Sequence, residues 1–502
     1  MTAQTYLAFD IGAESGRAML ASFDGGRLSL SELHRFPNGP VRLPDGLHWD
    51  ILRIWSDVKN AIGMAFRDTE SPPASLGIDT WAVDFGLLDR TGALIGNPYH
   101  YRDSRTDGMI EEACRRVPRA EIFEQTGIQF LQLNTLYQLL AMVVSQSPAL
   151  EIAHTFLTIP DLLNYWLTGQ KFCEFTNATT TQFYNPRRGD WAWDLLERMG
   201  IPKHIFPPII PPGTNLGKLT PAVREELGIS EAQCPQVIAP ACHDTGSAVA
   251  AVPAMESRFV WISSGTWSVM GTEAPHPIIT PDSLRNNFTN EGGVAGTFRF
   301  SKNVMGLWLV QECRRTWAQQ GEAYSYDELV KMASQAPAFL AVIDPDYPEF
   351  FKPGDMPERI RRFCKLTGQP VPEDKGAVVR CALEGIALKY RWVLERLEEM
   401  LGYRLEPVYI VGGGTQNRLL SQFTADALRR QVYTGPIEAT ALGNIMMQMI
   451  AMGALHSVAE GRELIRKSFP LTIYEPAQTA GWDEAYEKLC AIMARYPLDA
   501  GG

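Results

Sequence analysis

The residues best suited to chemistry in this chain are two aspartates set among small residues. The first opens Asp10-Ile-Gly-Ala-Glu-Ser-Gly-Arg17. Gly12 and Gly16 read as positions that allow positive φ and close approach of a ligand to the backbone. Ala13, Ser15 and Gly16 then offer N–H groups, and Ser15 a hydroxyl, in a nest that suits phosphate oxygens. Asp10 suits a Mg²⁺ held through water, because Mg²⁺ takes few carboxylates and keeps several waters. A plain β-hairpin explains the same glycines. The second aspartate lies in Ala241-Cys-His-Asp-Thr-Gly-Ser247. Asp244 is placed to accept a hydroxyl proton, since phosphoryl transfer asks mainly for positioning, charge stabilisation and one base. Asp is also a favoured N-cap, and a helix is expected over 245–252, so both roles stand together.

Further turns extend the pattern. Ile262-Ser-Ser-Gly-Thr-Trp-Ser268 offers Gly265 and Thr266 to phosphates, or is a hairpin with Trp267 in the core. Val411-Gly-Gly-Gly-Thr-Gln-Asn417 follows an apolar run and leaves room for a flat group such as adenine or ribose. It does not fit the dinucleotide fingerprint GxGxxG. Gly77-Ile-Asp-Thr-Trp-Ala-Val-Asp-Phe85 and Tyr101-Arg-Asp-Ser-Arg105 mix aromatics, carboxylates and Arg, a composition that suits a polyol. Core packing of Trp81 and Phe85, and a surface ion pair of Arg102 with Asp103, are the structural readings of the same residues.

The elements that must carry these turns are legible. Residues 5–10 read as a buried strand ending in Asp10, and 17–23 and 27–36 as two more. Asp-Gly in Phe23-Asp-Gly-Gly26 supplies the turn between them. Ile51, Ile54, Trp55, Val58, Ile62 and Phe66 have helical spacing over 49–67, and 75–80 reads as another strand. A second strand–turn–strand begins at 258–263. It is followed by a long helix at 376–402, a strand at 408–414 and a helix from Asn417. The shared order predicts a duplicated α/β unit with a boundary near 245–257.

Bulk properties agree with an ordinary globular chain. Its 502 residues are 45% hydrophobic and 21% charged, enough for two or more domains. The formal net charge of −11 disfavours non-specific nucleic-acid binding. Eight cysteines lie scattered with no CxxC pair, which argues against zinc and for free, mostly buried thiols. Cys364 and Cys381 are the two expected to lie near each other. No signal-like or membrane-spanning stretch is visible, so the expected location is the cytoplasm, with no membrane partner.

The ordered set of motifs resembles the FGGY carbohydrate kinases of the actin-like ATPase superfamily, over about residues 5–455. Pro160 in Pro-Asp-Leu-Leu-Asn-Tyr-Trp-Leu-Thr-Gly169 stands where many members carry Lys, as in the branch acting on L-rhamnulose. The resemblance implies an α/β fold of two ribonuclease H-like domains with an active-site cleft between them. It assigns 1–247 to sugar binding and the base, 248–460 to nucleotide binding, and 461–502 to a C-terminal extension. The implied reaction moves the γ-phosphate of ATP, with Mg²⁺, to the 1-hydroxyl of L-rhamnulose. L-Fuculose or D-xylulose is the alternative acceptor, and a non-kinase actin-like ATPase the more distant one. By motif, Asp244 is the proton acceptor. Ala13, Glu14, Ser15, Gly16, Arg17, Thr266, Gln311 and Gly413 fall on nucleotide positions. Ala82, His243, Asp244, Thr245 and Asn303 fall on sugar positions. Ala82 replaces a usual Gly, so its methyl is expected to trim the pocket. Asn303 and Gln311 are expected on one helix, two turns apart. The implied partners are the sugar and ATP, the implied assembly a monomer or homodimer.

Overall fold

The computed structural model describes residues 4–69 and 71–496. The chain forms two compact units that interleave in sequence. The first contains 1–255, 273–300 and 439–469, and the second 256–272, 301–438 and 470–502.

In the first unit, strands β1 (Gln4–Ile11), β2 (Ser15–Phe23) and β3 (Leu28–Pro37) run antiparallel. Asp24 makes the β2–β3 turn, its Oδ1 accepting from the N–H groups of Gly26 (2.8 Å) and Arg27 (2.7 Å). Helix α1 (Ile51–Arg67) is capped by Asp50 and buries Ile51, Ile54, Val58, Ala61, Ile62 and Ala65. Strand β4 (Ser75–Thr80) then joins β1 in parallel, and β5 (Gln236–Ala239) joins β4 in parallel. Every residue of β4 is buried, as expected of a strand covered on both faces. Helix α2 (Asp244–Ala250) follows β5.

The second unit repeats this order. Strands β6 (Val260–Ser264) and β7 (Trp267–Ala274) are antiparallel, and β8 (Phe298–Met305) lies beside β7. Helices α3 (Trp308–Gln319) and α4 (Lys375–Leu401) follow. Strand β9 (Val408–Val411) pairs with β6 in parallel, helix α5 (Arg418–Leu428) is capped by Asn417, and β10 (Val432–Thr434) pairs with β9 in parallel. The orders β3-β2-β1-β4-β5 and β8-β7-β6-β9-β10 are therefore equivalent. This is the two-domain ribonuclease H-like, actin-like ATPase fold that the sequence leads one to expect.

Helix α6 (Ala439–Ala451) packs on the first unit's sheet. Its Gln448 donates to the Leu7 carbonyl (3.0 Å) and accepts from Ser75 Oγ (2.7 Å), tying β1 to β4. A Cβ at Gly443 would stand 1.8 Å from the Ser247 carbonyl, so only glycine lets α6 cross α2 this closely. All eight cysteines are free thiols, six of them buried.

One expected element differs. Asn303 and Gln311 are not on one helix. Asn303 lies in strand β8, the chain turns at Gly306, and Gln311 lies in helix α3. A Cβ at Gly306 would meet the Gly265 carbonyl at 2.8 Å, so the break is built around the approach of the β6–β7 turn.

Candidate active site

The β1–β4 register sets Asp10 directly beside Asp79 at the ends of two parallel strands. Asp10 is paired with Arg17, its cross-strand neighbour on β2, at 2.5 Å. Asp79 is fully buried. Its Oδ2 accepts from Asn444 Nδ2 at 2.6 Å, while Oδ1 has no partner among the described residues. Burial and then the charge of Asp10 push Asp79 well above the usual carboxylate range, against the opposing pull of Asn444.

Asp244 completes this group. The Thr80 N–H donates to the Cys242 carbonyl (2.9 Å), which extends β4's neighbour and delivers His243 and Asp244 to the same sheet end. Asp244 is the first residue of α2 and not its cap, which is His243. Its Oδ1 accepts from its neighbour Thr245, from N–H at 2.5 Å and Oγ1 at 3.1 Å. The side chain remains 29% exposed. Burial and the charge of Asp10 raise its pKa to about 7, while Thr245 and Arg299 pull the other way. A carboxylate poised near neutrality and open to a ligand is what a general base requires.

The turn at 12–16 is shaped by the protein itself. Gly12 N–H donates to the Ser15 carbonyl (3.0 Å), and Asn38 donates to the carbonyls of Gly12 (2.8 Å) and Glu14 (3.0 Å). Neither Gly12 nor Gly16 has positive φ. The expectation of left-handed backbone there is therefore corrected. Gly16 is required because a Cβ would stand 2.1 Å from the Phe36 ring. Ala13, Ser15 and Arg17 are partly exposed and Glu14 is exposed.

The polyol-like motifs are mostly scaffold. Asp84, 1% exposed, accepts from Trp49 Nε1 (2.6 Å), Trp81 Nε1 (3.0 Å), Gln138 Nε2 (2.8 Å) and the Tyr101 N–H (3.2 Å). It knits the two motifs together instead of facing solvent. Asp103 is buried, and it accepts from the N–H groups of Leu47 (2.7 Å) and Arg105 (2.9 Å). Ala82 remains partly exposed in a tight turn whose next residue, Val83, has φ of 68°. The Trp81 N–H donates to the Ile11 carbonyl (3.2 Å), which ties this turn to the end of β1.

In the second unit the β6–β7 turn is bonded to the start of α3. The carbonyls of Gly265 and Thr266 accept from the N–H groups of Leu307 (3.0 Å) and Trp308 (3.1 Å). One turn along α3, Gln311 Oε1 is buried without a partner among the described residues. Gly412, φ 87°, and Gly414, whose Cβ would stand 2.1 Å from Ser264 Oγ, bring the β9 end against β6. Gly413 is exposed, with nothing within 4 Å of a Cβ placed on it. Asn303 is partly exposed on β8. The structure thus gathers Asp10, Arg17, His243, Asp244 and Thr245 in the first unit. In the second it bonds Thr266 to the start of α3, the helix that carries Gln311.

Four contributors escaped sequence reasoning: Asp79 as a partner of Asp10, Asn444, Glu291 and Arg299. Arg299 is buried and bonds His243 Nδ1 at 2.9 Å and Glu291 Oε2 at 3.1 Å. Asp79 lies in the segment Gly77–Phe85 already singled out, but nothing local in the sequence reveals what Asp79, Glu291, Asn444 or Arg299 touches.

Comparison with known proteins identifies the family. The models of the FGGY family of carbohydrate kinases match over residues 5–250 (N-terminal domain) and 260–452 (C-terminal domain). A rhamnulokinase of Bacteroides thetaiotaomicron is 43% identical over 483 residues, covering 96% of this chain and 98% of that one. A rhamnulokinase of Oceanobacillus iheyensis is 41% identical over 95% of this chain and 100% of its own length. Among solved structures, a ligand-bound xylulose kinase from Lactobacillus acidophilus superposes with a TM-score of 0.82 at 17% identity, covering 99% of each chain. Glycerol kinase of Plasmodium falciparum with ADP superposes at 0.76 and 16% identity, covering 99% of each chain. The chain belongs to the FGGY family of carbohydrate kinases.

Proposed function

We propose that this kinase transfers the γ-phosphate of ATP to the 1-hydroxyl of L-rhamnulose. The observation that carries the chemistry is Asp244, a partly exposed carboxylate held at about 7 beside Asp10. The relatives named rhamnulokinase, 37–43% identical, support the acceptor. In this reading Asp244 takes the proton of the attacking hydroxyl. His243, Thr245, Ala82 and Asn303 contact the sugar. The turn Ala13–Arg17, with Thr266, Gln311 and Gly413, contacts the nucleotide. The division of labour between 1–247 for sugar, 248–460 for nucleotide and 461–502 as an extension belongs to the same reading.

The residues fit a hard cation. Asp10 bonds Arg17, the charge of Asp10 acts on both Asp79 and Asp244, and Asp79 Oδ1 has no hydrogen-bond partner among the described residues. Among the described residues no cluster of three or more acidic, His or Cys side chains forms a direct metal cage. Asp10 would therefore hold Mg²⁺ through water, with phosphate oxygens supplying the other ligands. When bound, the ion neutralises charge on the transferring phosphate. No helix among the described residues is long and apolar enough to cross a membrane. A cytoplasmic monomer or homodimer completes the proposal.

The test is initial rates of ADP release with L-rhamnulose, L-fuculose and D-xylulose. L-Rhamnulose should give the highest kcat/KM. Equal or better rates on either rival sugar would refute the acceptor, and ADP release independent of sugar would refute the kinase chemistry.

A further inference from the structure

His243 and Asp244 are neighbours in sequence, yet only one of the imidazole nitrogens points at the base. His243 Nε2 lies 3.4 Å from Asp244 Oδ1. Its Nδ1 lies 2.9 Å from Arg299 Nη2 and 3.4 Å from Glu291 Oε2. A guanidinium has donors only and stays charged, so the shorter contact makes Nδ1 an acceptor. The single proton of a neutral ring then sits on Nε2, facing Asp244.

The surroundings hold this arrangement from several sides. Arg299 Nε donates to the Gly292 carbonyl at 2.8 Å, which fixes the plane of the guanidinium. Its Nη2 is shared between Glu291 Oε2 (3.1 Å) and His243 Nδ1, two acceptors around one NH₂ group. The His243 backbone N–H donates to Thr176 Oγ1 (3.1 Å), which donates in turn to Glu174 Oε2 (2.5 Å). Glu174 Oε2 also accepts from the Cys242 N–H (3.0 Å). Burial and the charge of Arg299 keep the imidazole well below its ordinary pKa, in agreement with a neutral ring.

We infer that Arg299 is a positioning residue that locks His243 in the neutral Nε2–H tautomer, so that His243 presents a donor beside Asp244 and to the sugar hydroxyl. His243 cannot then compete as a base, because its one lone pair is taken by Arg299. Thr245 already holds Asp244 Oδ1, so Oδ2 remains for the hydroxyl proton. Without Arg299, Glu291 becomes the nearest partner of Nδ1. The proton would move to Nδ1, and the Nε2 lone pair would face the Asp244 carboxylate. The role in turnover rests on the kinase reading above; the tautomer does not.

The test uses the full chain labelled with ¹⁵N-histidine and two-bond ¹H–¹⁵N correlation. His243 is assigned among the eight histidines by the signal lost in His243→Gln. The wild type should show a neutral Nε2–H ring from about pH 6 to about pH 8. A neutral Nδ1–H ring or an imidazolium over that range would overturn the inference, whatever the kinetics. Arg299→Met should move the proton to Nδ1 or charge the ring. It should also lower kcat by roughly 10- to 100-fold, with the KM for ATP unchanged within about twofold. Arg299→Lys, which keeps a charged donor, should restore part of both. A folded Arg299→Met that keeps the Nε2–H ring would overturn the inference. Should that variant not fold, Glu291→Gln decides with the wild type, because it leaves the Arg299 contact in place and must keep Nε2–H. A sugar panel that showed no turnover would refute the kinase reading and leave the tautomer result standing.

Discussion

The two units share one strand order but differ in what they place at the strand ends. In the first, the parallel pair β1–β4 carries Asp10 and Asp79 one residue before its end, and Asp244 joins them from α2. In the second, the equivalent pair β6–β9 ends in Ser263 and Val411, followed by Ser264 and Gly412. The second unit does contain buried carboxylates, but they are neutralised. Asp344 and Asp346 lie 2.9 and 3.1 Å from Lys389, which is itself buried. Buried charge with a matched partner holds a fold together. Buried like charge without enough partners is poised to bind a cation or a proton. The duplicated scaffold therefore carries the charge chemistry on one copy and close, neutral backbone on the other.

The largest effect should come from removing the base. Asp244→Asn should lower kcat by about 10²- to 10⁴-fold while ATP still binds, measured by single-turnover rates and calorimetry. Near-normal kcat would erase the contrast between the two strand ends. Next comes the neutralised cluster. Lys389→Met removes the cation bonded to Asp344 and Asp346, leaving only the charge of the buried Lys302 near them, and should cost about 3–5 kcal/mol in denaturant unfolding. A loss below about 1 kcal/mol would show that these carboxylates are as unpaired as those of the first unit.

The pH dependence sharpens the comparison further. Asp244 acts only when ionised, so kcat/KM should fall tenfold per pH unit below about 7. Asp244→Asn should abolish that limb in whatever activity remains. The smallest effect concerns stability. The folded-state pKa of Asp244 is raised from the ordinary 3.8 to about 7, so ionisation works against the fold. Wild-type stability should decline as pH rises through that window, and Asp244→Asn should not share the decline. The variant should thus melt higher than the wild type at about pH 8, with the gap closing toward about pH 4. A gap independent of pH would refute this sign.

Much of the scaffold is legible in the sequence. The helix expected at 49–67 is Ile51–Arg67, and that expected at 376–402 is Lys375–Leu401, because apolar spacing at 3.6 residues is a local property. The strand at 75–80 is Ser75–Thr80. The segment from Asn303 to Gln311 misled because Val304-Met-Gly-Leu-Trp-Leu-Val310 is apolar throughout, and such a run carries no period. Gly12 and Gly16 misled differently. Glycine is chosen for room as well as for φ, and only the position of Phe36 shows which applies.

The sequence alone determined the duplicated strand order, the helices at 49–67 and from Asn417, and the motifs that contain Asp10, His243 and Asp244. These depend on side-chain type and short-range period. Tertiary structure alone decided the rest. It set Asp79 beside Asp10, turned Asp84 into an internal anchor, and brought Arg299 to His243 across 56 positions of chain. A pKa near 7 on Asp244 follows from that packing, because desolvation and neighbouring charge act through distance in space and leave no local mark in the order of residues.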